Sequence, residues 1–443
     1  MPLVTFQLPE RIYIVHIKIT RLSFSAIFLV SLVCVMMTRC HPSRQITNDG
    51  KSRYSDSLTN ALDSFSRTSL IPGFSVSIVN DSGIVYTRGF GMADLRNREA
   101  FTSLTIHAVA SVSKTFVALS IMKLVEQKKL SLDEPINSIL PYKIVNPYFP
   151  GIPITVRHLV THTSTIIDDA FVPYYIGEAD ICIIDDDAGY DSLPTYLLPN
   201  LEYMRMGKMI TLDEHTRKYT LRGEKWYTDS TFLQKMPGEY FQYSNLGAAI
   251  AARIVEIRSG TSFEEFTRHH IFEPLGMKNT GWNIHNLNSD LLSKIYVQND
   301  ERSPNGVVEY PQYHMTNFPV SGLKTNAIDL GNYLVEMIKG YEGIGKLLDK
   351  ASYQVLFQPQ LNDAHLDLQD TRDFNDKFNV ATLWSVSATG YRLHFGGNTG
   401  VYAFVYFNPE TKSGALAFCN LRDGSFGEIL SIVHRYEKRI SGN

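Results

Sequence analysis

Strand-like segments lie at both ends of this 443-residue chain, and helix-like segments lie between them. Each strand-like segment is rich in β-branched or aromatic residues and is bounded by turn residues, as strands are. The segments are residues 74–79, 84–91, 391–395, 402–407 and 415–418. Two ends rich in strands around a helical middle favour an α+β sandwich, in which both termini form one antiparallel sheet.

Three other segments carry apolar residues at the spacing of an amphipathic helix. Residues 112–127 repeat apolar side chains every three or four positions, and residues 246–258 do the same until Ser259-Gly260 ends the pattern. Residues 425–440 form a third such segment, so we expect helices in the middle of the chain and one closing helix at its end.

The pattern divides the chain into one folded domain and an N-terminal extension. We place the domain at residues 58–443, with its sheet part at 58–110 and 380–443 and its helical part at 111–379. Within the helical part, residues 166–234 are irregular and rich in Tyr and Asp. Long irregular segments in compact domains are usually functional lids or disordered, and the sequence leaves both alternatives open here.

The first 40 residues have the pattern of a leader. Lys18 and Arg21 precede an apolar run over residues 22–37. This run is shorter than the roughly 20 residues of a membrane-spanning helix. We predict an export signal or lipoprotein leader over residues 1–40, with a buried core helix as the alternative, and a polar tether over residues 41–57.

The four cysteines fit an exported protein held to the cell envelope. Cys34 or Cys40 would be the lipid-bearing residue of a lipoprotein, which would place the protein in the periplasm or at the membrane surface. Cys182 and Cys419 are far apart in sequence, and we expect two free thiols.

Composition excludes some classes of partner. Apolar residues make up 44% of the chain and charged residues 20%, which is ordinary for a globular protein with a large core. The net charge is −3 with no long Lys/Arg run, so we expect no nucleic-acid partner. The acidic run Asp185-Asp186-Asp187 lacks the spacing of a known metal loop, and we expect neither a metal nor a cofactor.

A serine and a lysine open the first central helical segment, in the run Ser111-Val112-Ser113-Lys114. Positions i and i+3 share one face of a helix, so the lysine can take the proton of the serine hydroxyl. A serine at a helix start also has free backbone N–H groups beside it for an oxyanion. The same spacing recurs from Ser321 to Lys324, but Pro319 and Gly322 disfavour a helix there.

Two further motifs carry polar groups suited to the same chemistry. In Tyr243-Ser244-Asn245, the phenol can transfer a proton, and Asn245 can bond a substrate amide. In the strand-end run that starts at His394, Gly396 and Gly397 let a substrate backbone approach, and the Gly397 N–H can serve as a second oxyanion donor.

Taken together and in this order, these motifs resemble the serine β-lactamase-like, penicillin-recognising hydrolases, closest to the class C β-lactamase and esterase branch. The resemblance extends over roughly residues 70–440. Segments similar to family phrases are residues 84–95, 110–116, 132–135, 154–164, 237–247 and 272–277.

The resemblance implies a role for each site residue. Ser111 would be the nucleophile and Lys114 its general base, while Tyr243 would relay the proton of the leaving group. Asn245 would contact the substrate amide, and the amides of Ser111 and Gly397 would form the oxyanion hole. His394 would stand where many β-lactamases carry the lysine of a Lys-Thr-Gly triad.

Three positions depart from the family pattern. Thr165 follows the His-Thr-Ser phrase where the family usually has glycine, Phe395 occupies a position that is commonly small or polar, and His394 replaces a lysine. All three changes argue against a dedicated β-lactamase, and the histidine at 394 favours an esterase or a D-amino-acid peptidase, such as a D-Ala-D-Ala carboxypeptidase. We expect a monomer with a small-molecule or peptide substrate.

Other classes of protein remain as alternatives. A β-lactamase, or a non-catalytic binding protein that kept the fold, would share the motifs. An α/β-hydrolase would carry a Gly-x-Ser-x-Gly elbow, and a zinc hydrolase would carry His-Glu-x-x-His; we find neither in the sequence.

Overall fold

The computed structural model describes residues 48–167, 181–183, 193–195, 197–299, 306–362, 365 and 378–442. The predicted leader at 1–40, the tether up to residue 47 and the acidic run at 185–187 lie outside these residues. In the described part of the chain, no helix is both long and apolar enough to cross a membrane.

Fourteen strands occur in the described residues. In chain order they are β1 Gly73–Asn80, β2 Gly83–Asp94, β3 Glu99–Ala100, β4 His107–Ala108, β5 Ile181–Ile183, β6 Ile295–Gln298, β7 Val307–Tyr310, β8 Tyr313–Met315, β9 Lys324–Thr325, β10 Asn379–Val380, β11 Ser385–Val386, β12 Arg392–Asn398, β13 Val401–Asn408 and β14 Ser413–Cys419. Eight of them form one sheet, in the order β10-β11-β12-β13-β14-β1-β2-β3.

The described residues also contain eleven α-helices. They are α1 Asn48–Thr68, α2 Lys114–Glu126, α3 Val156–Val160, α4 Leu198–Met206, α5 Leu212–Thr220, α6 Asn245–Ser259, α7 Phe263–Thr267, α8 Glu273–Leu275, α9 Ala327–Glu342, α10 Lys350–Phe357 and α11 Phe426–Ser441. A 3₁₀ turn at Ala110–Ser113, here called the serine turn, leads directly into α2.

The central sheet joins the two ends of the chain, as predicted. β1 pairs antiparallel with β14, in a register that sets Phe74 opposite Cys419, and the β1–β2 hairpin continues the sheet on one side. β14 pairs with β13, and β13 with β12, on the other side. The predicted α+β sandwich is confirmed, with the sheet built from the two predicted terminal parts.

Side chains alternate between two apolar layers along the strands. On β13, Val405 and Phe407 face the larger core with α2, α6 and α9, whereas Phe404 and Tyr406 face the smaller core with α1 and α11. This alternation follows from the two-residue period of a strand. Both faces of the sheet are therefore covered, and all eight residues of β13 are buried.

The tether prediction is wrong for residues 48–57, because α1 begins at Asn48. Polar side chains dominate those ten positions, and the helix is stabilised further along. Leu58, Leu62 and Phe65 are buried against the sheet and α11. Tertiary packing of an apolar stripe commonly determines whether a polar helical segment forms.

The insertion at 166–234 is less irregular than predicted, since its described parts contain β5, α4 and α5. The hydroxyl of Thr211 caps α5 by accepting from the Glu214 N–H. Asp213 of α5 accepts a hydrogen bond from Arg253 of α6 at 2.9 Å. The buried side chains of α5 and this ion pair hold the helix on the helical part of the domain.

Candidate active site

The serine turn is fixed by one bond within it and one from a segment that is distant in sequence. The Ser113 hydroxyl donates to the Ala110 carbonyl at 2.6 Å and accepts from the Leu323 N–H at 3.1 Å. Ala110 has φ +46, in the left-handed region that L residues rarely adopt. A turn held in this conformation by its surroundings is a feature that concentrates at functional sites.

Ser111 and Lys114 form a hydrogen-bonded pair across this turn. The Lys114 Nζ lies 3.0 Å from the Ser111 Oγ and donates a second bond to the Val320 carbonyl at 2.8 Å. The Lys114 side chain is fully buried, while Ser111 is half-buried. The distance is within the range at which a base takes a proton from a nucleophile.

The Tyr243 ring completes one wall beside this pair. Its centroid lies 5.1 Å from the Lys114 Nζ, 4.5 Å from the His162 ring and 6.5 Å from the His394 ring. The side chain is 38% exposed, so the ring lies at the boundary between the buried amine and solvent. Asn245, the first residue of α6, follows two positions later.

His162 holds the loop that carries Tyr243. Its Nδ1 accepts from the Ser244 N–H at 3.1 Å, and its carbonyl accepts from the Gln242 N–H at 2.8 Å. Burial, and then the charge of Lys114, keep the pKa of His162 well below its usual value, so the ring is neutral and Nδ1 can accept. In the sequence, His162 stands inside a segment similar to a family phrase, and nothing local to it predicts this role.

His394 faces the same cleft as a neutral imidazole. It is 7% exposed, and its Nδ1–H donates to the Phe395 carbonyl at 2.7 Å, which leaves Nε2 with a lone pair. Burial, followed by the charge of Lys114, lowers its pKa to about 3. The position that the resemblance associates with a lysine cation therefore carries an uncharged acceptor at neutral pH.

The glycines of β12 bring this strand against the serine turn. A Cβ on Gly396 would lie 2.2 Å from the Val109 carbonyl oxygen and 3.2 Å from the Ser111 nitrogen, so no side chain fits there. Gly397 is exposed. β11 pairs with β12 only at Arg392 and Leu393, so in the described part of the chain the rest of that edge carries no strand. An open edge of this kind can accept an extended peptide or acyl chain.

The second Ser-x-x-Lys run was predicted not to form a helix, and the structure confirms this. Ser321 follows a 3₁₀ turn at Phe318–Val320, and Lys324 lies in β9. The Lys324 Nζ bonds to the Gly322 carbonyl at 3.4 Å.

Thr165 keeps the backbone that glycine would adopt easily. Its φ is +66, and its hydroxyl accepts from the Asn146 side chain at 2.8 Å. Thr165 therefore adopts a backbone conformation that is unfavourable for a β-branched residue, and its hydroxyl forms a buried hydrogen bond in that conformation.

The structure thus brings Ser111, Lys114, Tyr243 and His394 to one cleft, with Gly396 against the serine turn and Asn245 at the start of α6. A hydroxyl bonded to a buried amine, beside a phenol and an open strand edge, defines the type of site that acyl-serine hydrolases use.

The chain belongs to the Beta-lactamase family, whose sequence model matches residues 58–431. The family and the similar proteins of known structure are serine hydrolases.

Three similar proteins illustrate the range of the family. Protein flp of Staphylococcus aureus strain MW2 is 22% identical over 352 residues, which cover 79% of this chain and 60% of flp. The structure of EstCE1, a hydrolase with promiscuous acyltransferase activity, has a TM-score of 0.63 and 17% identity, over 89% of this chain and 99% of EstCE1. The structure of the D-amino acid amidase from Ochrobactrum anthropi SV3 in complex with L-phenylalanine amide has a TM-score of 0.59 and 19% identity. The match covers 87% of this chain and 97% of the amidase.

The chain spans about 60% of the length of the flp relatives. At identities this low, the similarity of the structures establishes a shared fold only. The substrate of this chain has to be inferred from its own site.

Proposed function

We propose that this protein is a hydrolase that forms an acyl-enzyme at Ser111 and acts on an ester or a D-amino-acid-containing peptide. The observation that carries the proposal is the 3.0 Å distance between the Ser111 hydroxyl and the Lys114 amine. Ser111 would be the nucleophile and Lys114 the general base.

In the acylation step, Lys114 as the general base takes the proton of the Ser111 hydroxyl as the oxygen attacks the substrate carbonyl carbon. The N–H groups of Ser111 and Gly397 would stabilise the oxyanion. Collapse of the tetrahedral oxyanion intermediate breaks the bond to the leaving group. The leaving group takes the proton from Lys114 through Tyr243. Water then attacks the acyl-enzyme, and its proton passes back through the same groups, which restores the Ser111 hydroxyl.

The substrate class rests on the groups around the cleft. His394 is buried and neutral, so it would offer a hydrogen-bond acceptor rather than a cation to the substrate. The open edge of β12 fits an extended chain, and Asn245 would bond its amide. Two proteins that share the fold support the proposal: EstCE1 is a hydrolase with promiscuous acyltransferase activity, and the D-amino acid amidase supports the D-amino-acid part.

A substrate panel tests this proposal. We expect turnover of a short-chain ester such as 4-nitrophenyl butyrate, or of a D-Ala-D-Ala peptide, to exceed that of a chromogenic cephalosporin, and to be lost in Ser111→Ala. Preferred turnover of the cephalosporin would make the protein a β-lactamase. A wild-type protein that turns over none of these substrates would favour a non-catalytic binding protein.

We also propose that the protein is exported and held at the cell envelope through Cys34 or Cys40. Mass spectrometry of the mature N-terminus would test this. A mature chain that retains residues 1–40 without a lipid would contradict it.

A further inference from the structure

A second polar cavity lies directly beside the serine turn. Its lining includes His107, Ala110, Ser293, Ser321, Lys324 and Asn398, and it is small, with a cavity volume of about 20 Å³. Three of these residues adjoin the site: Ala110 precedes Ser111, Ser321 follows the Val320 carbonyl that binds Lys114, and Asn398 follows Gly397. The cavity is therefore a neighbour of the reacting centre.

Lys324 places an amine in this cavity with little compensation. The residue is 6% exposed, and its Nζ has one hydrogen bond, to the Gly322 carbonyl, which at 3.4 Å is longer than usual. No carboxylate forms an ion pair with Lys324 in the described part of the chain. A buried ammonium without a paired anion is unfavourable, and an anion in the cavity would offset this.

Two histidines that feel the charge of Lys324 stay neutral. Burial, together with the charge of Lys324, lowers the pKa of His107 and of His314 to about 4. His107 donates from Nε2 to the Gly400 carbonyl at 3.3 Å, so its Nδ1 accepts from the Ser293 hydroxyl at 2.5 Å. Neither imidazole supplies negative charge to Lys324.

Asn398 adds a donor on the side nearer Gly397. Its Nδ2 donates to the Met315 sulfur at 3.3 Å and makes a long bond to the Ser321 hydroxyl at 3.4 Å. An incoming oxygen could therefore replace the Ser321 hydroxyl as acceptor at little loss. Ammonium and amide donors around one small cavity suit a carboxylate, because charge-assisted bonds to carboxylates are the strong ones.

We propose that this cavity is an anion subsite of the active site, in which Lys324 and Asn398 bind a carboxylate carried by the substrate. The inference rests on the proposed function, since it names a feature of the substrate that Ser111 would attack. Lys324 acts here as a binding and specificity residue and takes no part in the bond-breaking steps.

A matched pair of esters tests the acyl side of this subsite. 4-Nitrophenyl butyrate and 4-nitrophenyl hemisuccinate have acyl chains of similar length, and only the second carries a carboxylate. We expect the ratio of kcat/KM for hemisuccinate over butyrate to fall at least tenfold in Lys324→Met and less in Lys324→Arg. Lys278→Met, which removes an exposed lysine, controls for net charge and should keep the wild-type ratio.

Phenyl acetate and 3-carboxyphenyl acetate test the leaving-group side in the same way. A fall of the ratio in either pair supports the subsite. Changes below twofold in both pairs, with Lys324→Met folded as judged by its melting temperature, would overturn it.

A binding measurement separates the subsite from catalysis. In Ser111→Ala protein, we expect sodium acetate to raise the melting temperature above that in sodium chloride at equal ionic strength, and Lys324→Met to abolish the difference. Equal effects of the two salts would argue against the subsite. If acetate binds in this way and no ester is hydrolysed by the wild type, the proposed function fails while the anion site stands. If acetate binds and the ester ratios do not change, the cavity takes a free anion, and the substrate role is wrong.

Discussion

The two Ser-x-x-Lys runs of this chain have the same spacing and opposite geometries. Ser111 and Lys114 lie across a turn of helical backbone, with the hydroxyl and the amine 3.0 Å apart. Ser321 follows a 3₁₀ turn, and Lys324 lies in a strand, with its amine bonded to the Gly322 carbonyl. The same spacing therefore gives a Ser–Lys pair at only one of the two sites.

Backbone pairing between distant segments explains this difference. Lys324 exchanges backbone hydrogen bonds with Gly281, at 2.9 and 3.0 Å, and β9 pairs with β4 at the Ala108 position. These bonds occupy the groups that a helix would use. Spacing in the sequence thus identifies a candidate pair, and tertiary pairing decides whether its two side chains meet.

The largest expected difference between the two lysines is in catalysis. We expect Lys114→Met to lower kcat/KM for a neutral ester about 1000-fold or more, because it removes the group in reach of the Ser111 hydroxyl. The loss in Lys324→Met should be at least 100-fold smaller. Steady-state kinetics on 4-nitrophenyl butyrate, with melting temperatures to show that both variants fold, provides the measurement. Similar losses in the two variants would remove the distinction between the sites.

Removal of the Tyr243 hydroxyl tests the group that lies beside Lys114. We expect Tyr243→Phe to lower kcat about 100- to 1000-fold, because proton transfer to the leaving group would lose its relay. Tyr240→Phe, in the same loop, is the control and should lower kcat less than threefold. Wild-type kcat in Tyr243→Phe would exclude the phenol from proton transfer.

Lys324 should also affect stability in a defined window of pH. Burial lowers its folded pKa to about 8, from an ordinary value of 10.5. Between these values the unfolded chain holds the proton and the folded chain does not, so the contribution of Lys324 to the free energy of unfolding rises with pH, by up to about 3 kcal/mol.

The difference in the free energy of unfolding between wild type and Lys324→Met isolates this effect. Urea denaturation in carboxylate-free chloride buffers should show the difference rising between pH 7.5 and 10.5. The corresponding difference for Lys278→Met should stay flat. A flat difference for Lys324→Met as well would contradict the burial of a cation at this position.

The smallest expected effect concerns local helix propensity in the second run. A Cβ at Gly322 would lie 3.0 Å from the Phe318 backbone, so we expect Gly322→Ala to cost about 1 to 2 kcal/mol of stability. It should not make Ser321 reactive, because Lys324 keeps its strand bonds. Chemical denaturation measures the change in stability, and labelling with a fluorophosphonate measures the reactivity of Ser321. Labelling of Ser321 in this variant would show that glycine alone prevents a helix.

The elements that sequence predicted are those with a long regular pattern. The β1–β2 hairpin alternates over many residues around a glycine turn, and α2 and α6 repeat apolar side chains over three or more turns. Local patterns of this length determine the strand or helix directly. Ser111 could be singled out because its motif stands at the head of such a helix.

Other features depend on contacts between segments that are distant in sequence. β4 and β9 contain two residues each, too few for any period, and their pairing places Lys324 in its cavity. His162 supports Tyr243 through backbone bonds across about 80 residues of chain. The positive φ of Thr165 likewise follows from its buried surroundings rather than from its type. None of these has a local signal in a single sequence.

The identity of the acylated residue tests the central claim most directly. The protein is treated with a fluorophosphonate, and the modified peptide is located by tandem mass spectrometry. We predict a single adduct on Ser111, present in wild type and in Ser321→Ala, and absent in Ser111→Ala. An adduct that persists in Ser111→Ala, or a wild-type protein that forms none with this probe or with a labelled β-lactam, would contradict the account.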